Sequence, residues 1–327
     1  MTTIQSIASS TGNGCTAGKN STQRLFIAST TVANVLAEVK PLPHRQLVDL
    51  PSTATMEEAL DIFLAEDILS APVYRLTDGR KEYITIVSVL DLLKLLSSHA
   101  DEHSKALLKP LNEAIGLTEE SSHLVTVKPS DPLEYVMDLF SRLGAHRVLV
   151  QQQDQQPVLL SQMDVARYLQ TQNHRLGHIL DITTPTIVKR SRARQGVPMD
   201  APVSSISFKS TAMEAFLKIA NHKQYISALC ILDDDNSMVG DLSAENLRGL
   251  NRDRFDSLQK PVVMYLKESN GELYPPLSCH DRFTLSQIMT AFVLRKAHRL
   301  WWCDDEGHVK GVITLSDLLG TFIDSSL

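Results

Sequence analysis

Cysteine is scarce in this 327-residue chain: Cys15, Cys230, Cys279 and Cys303 are the only four, and none forms a C-x-x-C pair. The nearest two, Cys279 and Cys303, stand 24 positions apart. That spacing excludes a zinc knuckle and a dense disulfide framework. Cys230 and Cys303 lie in apolar stretches, Ala228-Leu229-Cys230-Ile231-Leu232 and Leu300-Trp301-Trp302-Cys303, which predicts buried, reduced thiols. No apolar run approaches the roughly 18 residues of a membrane span. Phosphate-loop, nucleophile-elbow, zinc-site and dinucleotide-binding glycine patterns are all missing. Positive charge is not in excess: 32 Lys and Arg stand against 38 Asp and Glu, a net charge of −6. Such a balance gives no overall pull toward nucleic acid or an anionic membrane, and neither is expected as a partner.

The composition is otherwise that of a folded chain, with 43% hydrophobic and 21% charged residues and a length suited to about two domains. Residues 1–24 read as a disordered tail rich in Ser and Thr, without the charged start and apolar block of a signal peptide. An organelle transit peptide is the lesser reading of the same tail, because no acid precedes Glu38. From Leu25 to Val39, the set Leu25, Phe26, Val32, Val35, Leu36 and Val39 predicts one helix face, stopped by Pro41 and Pro43.

Beyond that point the sequence repeats. Capping boxes, a short polar residue followed three positions on by Glu or Gln, occur at Thr55/Glu58, Asp131/Glu134, Thr211/Glu214 and Thr284/Gln287. In the second, Pro132 occupies the favoured first helical position. Each box opens an amphipathic helix. Short strands follow at Ala71–Tyr74, Arg147–Val150, Ala228–Leu232 and Arg299–Trp302. Polar turns such as Thr77-Asp78-Gly79 and returning strands such as Tyr83–Val87 and Val309–Ile313 complete hairpins. A closing helix then begins at Ser88-x-x-Asp91, Ser161-x-x-Asp164, Ser243-x-x-Asn246 and Thr314-Leu315-Ser316-Asp317. The predicted class is mixed α/β (α+β). The repeats span about 42–99, 120–172, 197–252 and 276–326. A unit this small cannot bury its sheet alone, so the units are expected to pair face to face.

These units resemble cystathionine-β-synthase-type (CBS) repeats. The stretch from Ala297 to Leu319 resembles the fourth repeat of the γ subunit of AMP-activated and Snf1-type protein kinases. Ala145-His146-Arg147-Val148, Ile226-Ser227-Ala228-Leu229 and Ala71-Pro72 resemble the second, third and first repeats. The resemblance implies two paired modules, 25–175 and 176–327, arranged as a flat four-repeat disk with clefts for adenine nucleotides.

The residues support that chemistry to different degrees. A Ser or Thr three positions before an acid is foremost a helix cap. The same helix start also attracts phosphate, and a carboxylate can accept both hydroxyls of a ribose. The resemblance assigns ribose contact to Asp91, Asp164 and Asp317, with Ser88, Ser161, Thr314 and Ser316 beside them. It does not assign that contact to Asn246, which has one acceptor oxygen and no charge. His146-Arg147 and His298-Arg299 open strands in the second and fourth repeats, 18 and 19 positions before the matching acids. Arg offers a planar fork for phosphate oxygens and His a further donor, and the resemblance points both pairs at the centre of the disk. Two cations of that pattern are missing, with Leu69 and Tyr225 in their places. Fewer sites are therefore expected, the fourth strongest and the second next, since Asp164 supplies an acid that the second γ repeat usually lacks. The basic run Lys189-Arg190-Ser191-Arg192-Ala193-Arg194 reads as a solvated linker. Docking of an acidic partner, phosphorylation of Ser191 and a nuclear-localisation signal are its sharper alternatives.

The repeats leave no room for a catalytic or membrane domain, so no enzyme activity, catalytic cofactor or metal is expected. The leading expectation is a regulatory protein that binds AMP, ADP or ATP and works with kinase α and β-type subunits in the cytoplasm, with the nucleus as a second compartment. The alternatives are a stand-alone protein binding an adenosyl ligand, S-adenosylmethionine among them, and regulating another enzyme such as a phosphatase or redox protein, or a scaffold with vestigial clefts.

Overall fold

The computed structural model describes residues 21–42, 46–99, 103–152, 156–223 and 226–324. It contains four three-stranded sheets of one design, β1-β2-β3, β4-β5-β6, β7-β8-β9 and β10-β11-β12 in chain order. In each, the first strand runs parallel to the second and the second antiparallel to the third. The hairpins are β2 (Ser70–Thr77) with β3 (Arg80–Ser88), β5 (Arg147–Val150) with β6 (Val158–Ser161), β8 (Ala228–Leu232) with β9 (Met238–Ser243), and β11 (Arg299–Cys303) with β12 (Val309–Thr314). Each lies where the alternation places it. Asp78 and Gly79 both take positive φ, 52° and 76°, the turn geometry that matches the twist of a tight hairpin.

A strand of two or three residues precedes each first helix: β1 (Leu50–Pro51), β4 (Thr126–Val127), β7 (Ser205–Ser207) and β10 (Ser278–Cys279). Runs this short carry no alternation, so the sequence pattern does not reveal them. The boxes at Thr55, Thr211 and Thr284 form as expected. The one at Asp131 does not. Pro132 is itself the N-cap of the helix Leu133–Arg142, and the Asp131 carboxylate accepts the Lys128 N–H at 2.8 Å instead. The expected single helix over 25–39 is two, Ser21–Ser29 and Val32–Val39, because Thr31 forms its own capping box with Asn34. Residues 21–24 belong to the first of these helices rather than to a disordered tail: Gln23 is buried and donates to the Phe322 carbonyl at 2.6 Å. The rest of the expected tail, with Cys15, lies outside the described residues.

Two large apolar cores hold the units together, and each draws on both halves of the chain. One joins the second and fourth repeats, with Phe140, Leu169, Phe292 and Phe322 all buried, and takes in Phe26 and Val35 from the N-terminal helices. The other joins the first and third through Phe63, Leu92, Phe216 and Tyr265. The amphipathic helices supply most of both, so helix packing rather than sheet packing carries the bulk of the burial. A smaller cluster brings the third and fourth sheets together through Ala228, Cys230, Trp301 and Cys303. Cys230, Cys279 and Cys303 are buried free thiols, and burial pushes Cys230 up to about 12 and Cys279 up to about 11. No helix among the described residues is long and apolar enough to cross a membrane.

Candidate functional site

Three of the four closing helices are α-helices of 9 or 10 residues that start on the same cap, whereas the third is a single 3-10 turn, Ala244–Leu247, rather than the expected full helix. Ser88, Ser161 and Thr314 each donate a backbone N–H and a hydroxyl to the Oδ2 of the acid three residues on, at 2.8 and 2.6 Å for Asp91, 2.9 and 2.7 Å for Asp164, and 2.8 and 2.7 Å for Asp317. One oxygen of every acid is therefore committed to capping. In the third repeat the Asn246 Oδ1 takes the Ser243 N–H at 2.9 Å and its hydroxyl at 3.4 Å, and both lone pairs of the one acceptor oxygen are used.

The second oxygen separates the repeats. Asp91 is 0% exposed, and its Oδ1 accepts the hydroxyls of Thr118 at 2.7 Å and Ser121 at 2.5 Å. Burial raises the Asp91 pKa despite these donors. Asp317 is 3% exposed, and its Oδ1 accepts from Ser191 and, at 3.3 Å, from Gln195, with the Arg194 guanidinium 3.7 Å away. Asp164 is 6% exposed, and its Oδ1 receives no hydrogen bond from the described residues. Lys40 lies 3.1 Å from the Asp164 Oδ2 and donates to the Leu159 carbonyl at 2.7 Å. Ser316 takes a 2.8 Å hydrogen bond from Gln162, which ties the fourth repeat to the second.

The basic run is packed structure, not a solvated linker. The helix Thr184–Gln195 carries Pro185 in its first turn and ends at Gly196, whose φ of 67° is the left-handed cap conformation. Ile187, Val188 and Ser191 form its buried face, so the Ser191 hydroxyl meets Asp317 rather than solvent. Arg194 pairs with Asp324 at 2.9 Å, and Arg192 donates to the Pro198 carbonyl at 3.0 Å. A charge count along the sequence cannot register a helix whose third face is inward.

Arg147 and His146 are among the charged groups that act on His298, together with Arg299 and Glu245. The first pair meets a buried carboxylate, Glu120, that the residue pattern did not single out, and the second feels the partly buried Glu245. Glu120 lies 2.9 Å from the His146 Nδ1 and 3.8 Å from Arg147. Burial works to raise the Glu120 pKa, but His146 and Arg147 outweigh it and the net direction is down. Glu245 behaves likewise: burial opposes ionisation, while Arg299, His298 and Arg248 lower its pKa. Arg299 also lies 3.6 Å from Asp241 and donates to the Ser227 hydroxyl at 3.4 Å. Burial pushes His298 down to about 4, against the pull of Glu245, so it is neutral at pH 7. Leu69, in place of a cation, packs against the core of the first and third repeats, and Tyr225 lies outside the described residues.

A CBS domain model matches residues 38–98, the first repeat. Over 339 aligned positions the chain is 24% identical to the SNF1-related protein kinase regulatory subunit gamma-like PV42a of Arabidopsis thaliana, covering 88% of this chain and 94% of that protein. It is 22% identical to the 5'-AMP-activated protein kinase subunit gamma of Saccharomyces cerevisiae, with 90% and 91% covered. Among solved structures, protein MJ1225 from Methanocaldococcus jannaschii, whose description relates it to g-AMPK, aligns with a TM-score of 0.64 at 16% identity over 85% of this chain and 96% of that one. The comparisons thus place a CBS domain at residues 38–98 and a fold like that of MJ1225 over most of the chain. The chain resembles the γ-type subunits of SNF1-related and AMP-activated kinases along nearly its whole length.

Proposed function

We propose that this protein is a non-catalytic, γ-like regulatory subunit that binds AMP, ADP or ATP between its repeats and conveys that state to a Snf1/AMP-activated-type kinase. In this reading residues 25–175 and 176–327 are its two modules, with the kinase α and β-type chains as its partners. What supports it is a chain that spans over 90% of two proteins named as γ or γ-like subunits, in which His146 and Arg147 are near enough to act electrostatically on His298 beside Arg299. A ligand shifts a partner only through different affinities for two states, so the clefts between repeats are where binding would act. A second reading, a stand-alone regulator of another enzyme, is favoured by the internal pairing of Asp91 and Asp317. Purifying the tagged chain from its native cells distinguishes the two. Recovery of a kinase catalytic chain with a β-type scaffold is the expected result. Recovery of a different enzyme alone overturns the kinase assignment, and calorimetry showing no adenine-nucleotide binding overturns the ligand.

A further inference from the structure

The fourth cleft already holds donors where a ligand would place its own. A ribose meets a carboxylate as two adjacent hydroxyl donors, and a carboxylate oxygen has lone pairs for two. At the Asp317 Oδ1 those two places are filled by the Ser191 hydroxyl and the Gln195 amide, the latter at 3.3 Å. The Arg194 guanidinium supplies the adjacent positive charge, 3.7 Å from Asp317. All three side chains come from the last two turns of one helix, Thr184–Gln195. Asp164, the equivalent acid of the second repeat, has no such donors among the described residues. We propose that Ser191, Arg194 and Gln195 form a built-in competitor for the ribose position of the fourth repeat, so that a ribonucleoside enters there only by displacing the C-terminal end of this helix. The inference rests on the proposed reading of Asp317 as a ribose-binding acid.

The surrounding structure lets this end move while the rest stays anchored. Ile187 and Val188 are fixed in the core of the second and fourth repeats. Beyond Gly196 the chain has no regular structure until Ser205. Arg194 fits against the helix Leu315–Ile323 because residue 320 is glycine: a Cβ there would lie 2.0 Å from the Arg194 Nη1. A competitor inside the molecule lowers apparent affinity by the fraction of time the cleft is closed. Entry of the nucleoside then releases Arg194, and binding becomes movement of the helix between the two halves of the chain.

Two variants test this without touching Asp317. Ser191→Ala removes one donor, and Gly320→Ala pushes the Arg194 guanidinium off the helix. Both are titrated with AMP by calorimetry, each alone and combined with Asp317→Asn, after a thermal melt confirms folding. If Ser191→Ala fails to fold, Gly320→Ala carries the test alone. The expected result is tightening by about tenfold, the scale of one hydrogen bond to a charged group, abolished by Asp317→Asn. Wild-type protein should show faster amide exchange over residues 191–196, but not at Ile187 and Val188, when AMP is added. AMP binding that depends on Asp317 but is unchanged or weakened in both variants overturns the competitor and leaves the proposed function standing. Tightening that survives Asp317→Asn also overturns it. No AMP binding in the wild type or either variant overturns both readings together.

Discussion

Glu120 grips His146 twice: its Oε2 lies 2.9 Å from the imidazole Nδ1, and its Oε1 accepts the His146 backbone N–H at 3.2 Å. With Arg147 also within 3.8 Å, the residue pair that opens the second repeat's strand is matched by a buried anion. In the fourth repeat the partner is a different acid: Arg299 lies 3.6 Å from Asp241, while Glu245 acts on His298 and Arg299 electrostatically. Arg147 and Arg299 supply two positive charges, and Glu120 and Asp241 stand against them at 3.8 and 3.6 Å. A phosphate arriving there competes with carboxylates already in place, at a position where the cost of separating buried charges is high.

Replacing Glu120 with Gln keeps the shape and removes the charge. Glu120→Gln is expected to strengthen AMP binding several-fold and ATP binding more, since each added phosphate gains from the freed Arg147. It should also destabilise the fold by roughly 1–3 kcal/mol, because His146 and Arg147 lose a buried partner. Parallel AMP and ATP titrations with a urea unfolding curve check both halves. Unchanged nucleotide affinity in a folded variant would show that this carboxylate does not oppose phosphate.

His298 predicts an acid-sensitive fold. Burial is the main cause of its depressed pKa, with Arg299, Arg147 and His146 acting the same way and Glu245 opposing them. Its folded value of about 4 lies below the ordinary 6.5, so the unfolded chain binds more protons between those limits. Stability from this group is therefore complete above pH 6.5 and declines as pH falls toward 4. His298→Gln should flatten that limb of the curve while other acid-sensitive groups keep theirs. Unfolding free energies measured across pH 4–7 for both proteins give the answer, and identical slopes would remove His298 as the cause.

The sequence pattern and the structure agree where a single local rule decides. The hairpin at Arg147–Val150 and the caps at Ser88, Ser161 and Thr314 follow from alternation and from a hydroxyl three residues before an acid. That His146 and Arg147 act on His298 was suggested only by the family resemblance. What stayed hidden was long-range. Thr118 and Ser121 reach Asp91 across about 30 positions, and Ser191 reaches Asp317 across 126. Nothing in the spacing of those residues marks them, because their role is set by which helices the two apolar cores press together. Lys189-Arg190-Ser191 reads as charge on paper, while Ile187 and Val188 beside it turn the helix inward.

The contrast between Asp91 and Asp164 makes the final prediction. The two acids share the same cap, yet Asp91 has all its donors inside the protein and Asp164 keeps one oxygen unclaimed by the described residues. Asp91→Ala should leave the Thr118, Ser121 and Ser88 hydroxyls without their acceptor and cost about 2–4 kcal/mol of stability, the sum of a lost charged hydrogen bond and stranded buried groups. It should not change the number of AMP equivalents bound at a temperature where the variant remains folded. Asp164→Asn should do the opposite. Its cap survives, because the amide oxygen still accepts the Ser161 N–H, and folding stability falls only by about 1 kcal/mol as Lys40 loses its ion-pair partner. The anionic acceptor for a ribose is gone, so AMP affinity at the second repeat should fall about tenfold or more. Asn246→Ala, in the repeat whose only acceptor is already bonded to Ser243, should leave AMP binding within about twofold. Calorimetric titration of the three variants beside the wild type gives stoichiometry and affinity together. A binding equivalent lost from Asp91→Ala or Asn246→Ala while Asp164→Asn binds normally would show that an acid's spare oxygen does not determine which cleft takes the nucleoside.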